Sequence, residues 1–344
     1  MINLTKISRA LEQKPFLYRV AKRVYGVAER VLPSQIAYTF SDARRLRDLV
    51  QSRIQALAVI KRCVSEEKMA SILISRKDII ITLDDGRKFY WHPENMNLLA
   101  LRPAGEYKPE DTHLVSKIIN KGDIAFDIGA NFGWYTTLLI NLVGETGEVH
   151  AFEPVPQVFD ELKNNLELNG KLQCRNVFLN NLAVSDRGGQ LSIYMPVKLG
   201  PAHSSPAIHH KGKHIEYKCD VITLDEYVKT RRISKVSFIK ANIEGSELLM
   251  LKGAKEILES DSPPMLLLEV TYSHTSAFGY EPKDLFTLLL KCGYKFYYMG
   301  DGRLRQLTTY EGYLPICESF QNFLCVIPSL HGERLKSALQ KPGY

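Results

Sequence analysis

Apolar positions in the first part of the chain recur at helical spacing. Leu17, Val20, Val24, Val27 and Val31 follow steps of three and four, bracketed by Pro15 and Pro33, and predict one helix. Ser41 is a good N-cap for a second, running to about Val64 with Leu46, Val50, Ile54 and Leu57 on its apolar face. At 79–91, IIITLDDGRKFYW reads as a hairpin, with β-rich runs flanking Asp84, Asp85 and Gly86. Residues 92–110, with Pro93, Pro103, Gly105 and Pro109, read as a loop-rich connector. From about 111 the pattern becomes strand, helix, strand, helix. Strands are expected at 123–128, 148–153, 175–183, 235–241 and 264–270, and helices at 134–143, 156–168, 246–259 and 282–291. This alternation implies an α/β, doubly wound, Rossmann-like parallel sheet covered by helices on both faces. An insertion at 188–234 carries a hairpin and a Pro- and His-rich loop, and 323–330 reads as a late strand. The expected organisation is a basic helical extension (1–70), a hairpin and connector (71–110), the α/β domain (111–330) and a C-terminal tail (331–344).

Composition changes this picture little. With 45% apolar and 24% charged residues in a chain of 344, a large buried core is expected, and disordered or fibrous classes are excluded. No apolar run reaches the roughly 18 residues that cross a bilayer, and the first residues do not read as a secretory signal. Six cysteines without a CxxC pair read as reduced thiols, so a cytoplasmic location is expected. Charge is informative. Residues 1–70 hold fourteen Lys and Arg against six Asp and Glu, whereas the rest of the chain is nearly balanced. Such a segment either meets something anionic, a membrane surface or an acidic partner, or is a solvated helical face. No nucleic-acid partner is expected.

The strongest chemical signal is DIAFDIGANFGWYTTLL, where a buried strand ends in Asp127-Ile128-Gly129-Ala130-Asn131-Phe132-Gly133 and a helix follows. Glycines 129 and 133 permit a sharp turn and close approach of a ligand. Glu153 ends the next strand, placed to accept hydrogen bonds from two ribose hydroxyls. A dinucleotide fingerprint needs a second glycine where Asn131 stands, and its third falls on Trp134, so pyrophosphate is poorly served. The spacing suits S-adenosylmethionine, a phosphate-free sulfonium. Trp134 and Tyr135 either offer aromatic faces near that cation or pack in the core. The loop is expected at the methionine end, Glu153 with Pro154 at the ribose, and Asn181 and Leu182 near the adenine.

Several motifs, in order, resemble the FkbM family of S-adenosylmethionine-dependent methyltransferases. They are FDIGANFGWYT (126–136), AFEPVPQVFDELKNNLELN (151–169), LAVSDRGG (182–189), ITLDEYV (222–228), FIKANIEGSELLMLKGA (238–254) and LLLEV (266–270). The resemblance implies the seven-stranded class I methyltransferase sheet with an antiparallel last strand. It also implies transfer of a methyl group to oxygen, on a glycan, glycolipid or natural product.

The family usually reads Lys-x-Asp-x-Glu-Gly where this chain has Lys240-Ala241-Asn242-Ile243-Glu244-Gly245. Asn242 keeps a carbonyl acceptor but cannot act as a base, and it is a poorer ligand for a hard cation than a carboxylate. The candidate catalytic residues are therefore Glu244, Lys240, Asn242 and Glu269. Lys240 is expected either to pair with Glu244 or Glu269 or to face the crevice. His209, His210 and His214 fit no zinc spacing and read as a surface loop; no metal-ligand set is assigned and a divalent metal stays open. His203 and His274 qualify as bases by residue type alone. Two alternatives remain beside the O-methyltransferase: a cofactor-binding but silent scaffold, with Asn242 as its lesion, and a nicotinamide-dependent oxidoreductase.

Overall fold

Alternate residues along the central strands face two different apolar cores, and this two-sided burial organises the molecule. A computed structural model describes residues 69–74, 79–91, 109–197, 200, 203–208, 211–300, 303–310, 312–313 and 321–339. The helices expected within 1–64 lie outside the described residues, as do 92–108 of the connector, His209 and His210. In chain order the first strands are β1 (Met69–Ile74), β2 (Ile79–Leu83) and β3 (Lys88–Trp91). Then come α1 (Pro109–Ile118), β4 (Ile124–Ile128), α2 (Trp134–Val143), β5 (Glu148–Phe152), α3 (Pro156–Leu168) and β6 (Val177–Asn180). After β7 (Ala183–Val184), the insertion holds β8 (Gly189–Pro196), β9 (His214–Ile222) and α4 (Leu224–Arg231), and β10 (Phe238–Ala241) follows it. The remainder is α5 (Glu247–Lys252), α6 (Lys255–Leu258), β11 (Met265–Val270), α7 (Tyr272–Ala277) and α8 (Pro282–Lys291), then β12 (Lys295–Gly300), β13 (Arg303–Leu307), β14 (Gln321–Val326) and α9 (Pro328–Leu339).

The main sheet has the order β13-β12-β14-β11-β10-β4-β5-β6. Its five strands from β11 to β6 are parallel, while β14 runs antiparallel to both β11 and β12. This is the expected doubly wound sheet with an antiparallel late strand, extended to eight by β13 at one edge. On β11, Met265 and Leu267 enter one core, whereas Leu266, Leu268 and Val270 enter the other. Two three-stranded sheets flank it, β1-β2-β3 and β7-β9-β8.

Three expectations change. The connector was expected to run to 110, but α1 begins at Pro109, a favoured first helical position. The helix expected over 246–259 is two short helices, interrupted where Gly253 lies so close to the Ser185 carbonyl that a Cβ would sit 2.1 Å from its oxygen. The late strand expected over 323–330 ends at Val326, and α9 opens at Pro328 and takes in most of the tail expected from 331, where Arg334 makes a two-pronged ion pair with Asp123 at 2.6 and 2.7 Å.

The expected hairpin is β2–β3, and one buried guanidinium joins it to the main body. Arg87 contacts Asp85 at 2.7 Å, donates to the Trp134 carbonyl at 2.8 Å, and lies 4.6 Å from the Trp134 ring centre. Arg87→Ala is expected to lower unfolding free energy in urea by about 2–3 kcal/mol, through the lost ring contact and the lost buried hydrogen bond to the start of α2.

Candidate active site

The ends of β4, β5 and β10 open into a cleft whose wall includes Gly129, Asn131, Glu153, Pro154, Leu182, Asn242 and Glu244. Glu153 is buried, 6% exposed, and both carboxylate oxygens already accept a backbone amide. Oε2 accepts from Asn131 N and Oε1 from Val155 N, each at 3.0 Å. A carboxylate oxygen has a second lone pair, so each can accept again. Burial pushes this carboxyl up to about 7, against the two amides and Lys240, which favour the charged form. Asn131 holds a left-handed backbone, φ 51°, which an Asn side chain tolerates better than most. Opposite the loop, Ala183, Val184, Leu191 and Ile193 form an apolar wall contributed by the small insertion sheet.

Gly129 explains how the two sides of the cleft meet. Its φ is +72°, and a Cβ there would lie 2.1 Å from the Asn242 carbonyl oxygen. The glycine therefore admits a neighbouring strand end, not only a ligand. Below this contact, Asp127 and Lys240 are cross-strand neighbours. Lys240 Nζ stands 3.2 Å from Asp127 Oδ1 and donates to the Gly129 carbonyl at 3.0 Å, while Thr136 donates to Asp127 Oδ2 at 2.6 Å. Lys240 thus pairs with Asp127, not with Glu244 or Glu269 as expected. The reason is the alternation of β10, which turns Lys240 to the side shared by Asp127.

Beyond Asn242 the chain turns through two left-handed residues, Glu244 (φ 54°) and Gly245 (φ 100°). Position 245 must be glycine, because a Cβ would lie 2.6 Å from the His274 carbonyl oxygen. The turn brings together residues far apart in sequence. Glu244 Oε2 lies 3.6 Å from His274 Nε2 and 3.8 Å from His203 Nδ1, and the Glu244 side chain is about nine-tenths buried. Glu244 raises the His203 imidazole above its usual range, with burial opposing. Asn242 Nδ2 donates to Glu269 Oε2 at 3.1 Å. Glu247 accepts from Ile243 N at 2.9 Å, and burial, more than its carboxylate neighbours, pushes its carboxyl up to about 8. Ser205, from the insertion, donates to the Glu244 carbonyl at 3.1 Å.

A profile described as the methyltransferase FkbM domain matches residues 127–296. The chain carries an FkbM methyltransferase domain. Hexuronic acid methyltransferase AglP of Haloferax volcanii is 27% identical over 48% of this chain and 61% of its own length. The 31-O-demethyl-FK506 methyltransferase FkbM of Streptomyces tacrolimicus is 26% identical over 40% of this chain and 62% of its own. The match thus spans about three fifths of each of these curated relatives. Aeropyrum pernix fibrillarin, solved with natively bound S-adenosyl-L-methionine, aligns over 75% of this chain and 98% of its own at 12% identity and TM-score 0.34. An S-adenosylmethionine-dependent methyltransferase from Aquifex aeolicus aligns over 63% and 87% at 15% identity and TM-score 0.35. The strand order, rather than these superpositions, establishes the fold.

Within the FkbM domain, the expected cofactor residues divide. Gly129, Asn131, Glu153, Pro154 and Leu182 line the cleft, whereas the buried Asp127, Gly133, Trp134 and Tyr135, with Ala130 and the exposed Asn181, are not part of its lining. Trp134 is 2% exposed, stacked on Phe89 at 5.4 Å and donating to Thr112, so its faces are spent in the core. The Tyr135 ring lies 5.2 Å from Lys240 Nζ, a cation of the protein itself. Asn181 donates to the carbonyls of Glu153 and Pro154 at 2.8 and 3.0 Å, bracing the turn. Of the expected catalytic group, Asn242 and Glu244 line the cleft, Glu269 lies beside Asn242, and Lys240 lies behind the loop. The sequence carried no signal for Ser205 or for the apolar wall of β8; residue type alone flagged His203 and His274.

Glu153 makes a testable contribution to stability. Its folded carboxyl is raised from the ordinary 4.5 to about 7, so its stabilising share is complete below 4.5 and is lost as pH climbs through 7. Between pH 5 and 8 this loss is on the order of 2–3 kcal/mol. Chemical denaturation across that range is expected to show this slope in the wild type and not in Glu153→Gln, whatever fixed offset the amide introduces.

Proposed function

We propose that this chain transfers a methyl group from S-adenosylmethionine to a hydroxyl of a glycan, glycolipid or natural product. One observation carries the reading: a single cleft holds a buried ribose-type acceptor, Glu153, and reaches Glu244 of the imidazole–carboxylate group at the Asn242–Gly245 turn. The residues fit the cofactor chemically. Glu153 would take the ribose hydroxyls, the Gly129–Asn131 backbone the methionine end, and Leu182 with the β7–β8 wall the adenine. When bound, S-adenosylmethionine supplies an electrophilic methyl group. The protein must then position an acceptor oxygen and accept its proton. Glu244, flanked by His203 and His274, is the proton-accepting group nearest that end, and Asn242 orients Glu269 beside it. The named activities of the relatives, on hexuronic acid and on 31-O-demethyl-FK506, support this acceptor class. A silent scaffold fits less well, because Asn242 supplies a donor to Glu269 where an aspartate would add a further carboxylate to Glu244, Glu247 and Glu269.

Hydroxyl donors favour the ionised form of Glu153, so binding expels a proton at acid pH. Calorimetry with S-adenosylhomocysteine is expected to show affinity rising with pH and levelling above about 7–8, with proton release in paired buffers below that range. Glu153→Ala is expected to weaken binding by about 1.5–3 kcal/mol; unchanged affinity overturns the assignment. With methyl-labelled cofactor and a panel of sugar acids and glycolipids, Asn242→Asp is expected to cut turnover while cofactor affinity holds within about twofold, since it removes a donor and adds a like charge beside Glu269.

For the basic segment 1–70 we propose docking to an anionic membrane surface or an acidic partner. Full-length protein is expected to sediment with anionic vesicles at low salt and to lose them at high salt, and a chain lacking 1–70 is expected not to bind.

A further inference from the structure

The turn after β10 joins residues that spacing in sequence could not associate. Glu244 follows β10, Glu269 sits on β11 and His274 on α7, all three buried, with one potential ligand atom from each lying within 4.8 Å of the others. A divalent ion bound at about 2.0–2.2 Å by oxygen and nitrogen holds its donors about 3–4 Å apart. The three groups therefore need to contract only slightly to share one ion. A second feature points into the same space. Glu244 Oε2 accepts no hydrogen bond although its residue is only 8% exposed, and the His274 and His203 imidazoles stand beyond hydrogen-bond reach of it at 3.6 and 3.8 Å. A buried anionic oxygen is costly without a counter-charge. Lys240, the buried cation on the same strand end, is engaged by Asp127 and the Gly129 carbonyl. Asn242 completes the arrangement from outside, donating to Glu269 Oε2 as an orienting group does for a ligating carboxylate.

We infer that Glu244, Glu269 and His274 form a binding site for one divalent cation at the acceptor end of the cleft. Two carboxylates and one imidazole match a cation of the Mn2+ or Zn2+ type better than Ca2+, which takes more oxygens, or Cu+, which selects thiolates. Three protein ligands leave coordination positions for water and for an acceptor hydroxyl. The hydroxyl would be bound and made more acidic there, and with Glu244 acting as a ligand its proton would pass to His203, 3.8 Å from Glu244. This gives the position-242 substitution a meaning: the amide is an orienting partner of a ligand, and the ligating carboxylates stand at 244 and 269. The inference extends the proposed methyl transfer by naming what holds the acceptor oxygen.

The test is a titration of purified full-length protein with Mn2+, following loss of the free-ion paramagnetic resonance signal, and with Zn2+ by calorimetry. One ion per chain is expected to bind with micromolar affinity. Glu269→Gln and His274→Gln, on different elements, are each expected to weaken it at least tenfold, while Glu256→Gln on the exposed face of α6 leaves it unchanged. Wild-type protein that takes up neither ion at millimolar concentration overturns the site, as do ligand variants that bind as tightly as wild type. S-adenosylhomocysteine titrated into the same samples separates this from the cofactor reading. Protein that binds Mn2+ but not S-adenosylhomocysteine refutes only the latter, and the reverse result refutes only the cation site.

Discussion

The buried pair of Asp127 and Lys240 is the constraint on which the site's geometry rests. Two charges removed from water between adjacent parallel strands are stable only if their remaining hydrogen-bonding capacity is met. Here Thr136 takes the second carboxylate oxygen and the Gly129 carbonyl takes a proton of the ammonium. Each partner belongs to the strand–loop–helix unit of β4 and α2, so the pair does more than hold strands in register. It fixes the height of the cofactor-type loop against the end of β10. The backbone contact of Gly129 with Asn242 is tolerable only at that height. Loss of either charge would leave the other buried and unpaired, typically a penalty of about 3–5 kcal/mol, and would release the loop at the same time.

From that clamp the site divides into two halves with different electrostatic character. Near Glu153 a single carboxyl is surrounded by amides and apolar side chains, and its ionisation is sensitive to what binds. Near Glu244 three carboxyl groups and two imidazoles crowd one turn, with the Glu247 carboxyl pushed up to about 8 by burial and the His203 imidazole raised by Glu244. The left-handed backbone at Asn131 and at Glu244 marks each half. Among the described residues, the only other non-glycine residue with positive φ is Arg232, which closes a helix away from the cleft. Strained backbone of this kind persists where surrounding contacts over-determine it, and both turns are so held.

Much of the fold was legible because its strands are buried on both faces and its helices are amphipathic, so the two periods stand apart in the sequence. Strand and helix limits at 124–128, 134–143, 148–152 and 156–168 fall within a residue of expectation. α1 was hidden because Pro103, Gly105 and Pro109 read as loop, although Pro109 opens the helix. The residues at the loop and at Glu153 were legible from local spacing, which is where backbone geometry dictates side-chain choice. The role of Trp134 was not, since an aromatic just past a glycine loop suits a ligand or a core until Phe89 and Arg87 arrive from the hairpin. Nor was the partner of Lys240, which depends on register between strands more than a hundred residues apart. The grouping of Glu244 with Glu269 and His274 requires the turn, the next strand and the helix after it to be in place. Residue type could nominate those side chains, but only tertiary structure could associate them.

Ser205 ties the insertion to the backbone of Glu244 by one hydroxyl, and this attachment governs how such an enzyme can change. The long excursion between β8 and β9 touches the acceptor half while the glycine loop, Glu153 and the Asp127–Lys240 pair lie on elements that do not pass through it. The excursion can therefore lengthen, shorten or alter its side chains without moving the groups proposed for the cofactor. On the proposed reading, selectivity for the acceptor and binding of the methyl donor fall to separable pieces of chain, which puts a new substrate within reach of drift in one surface segment.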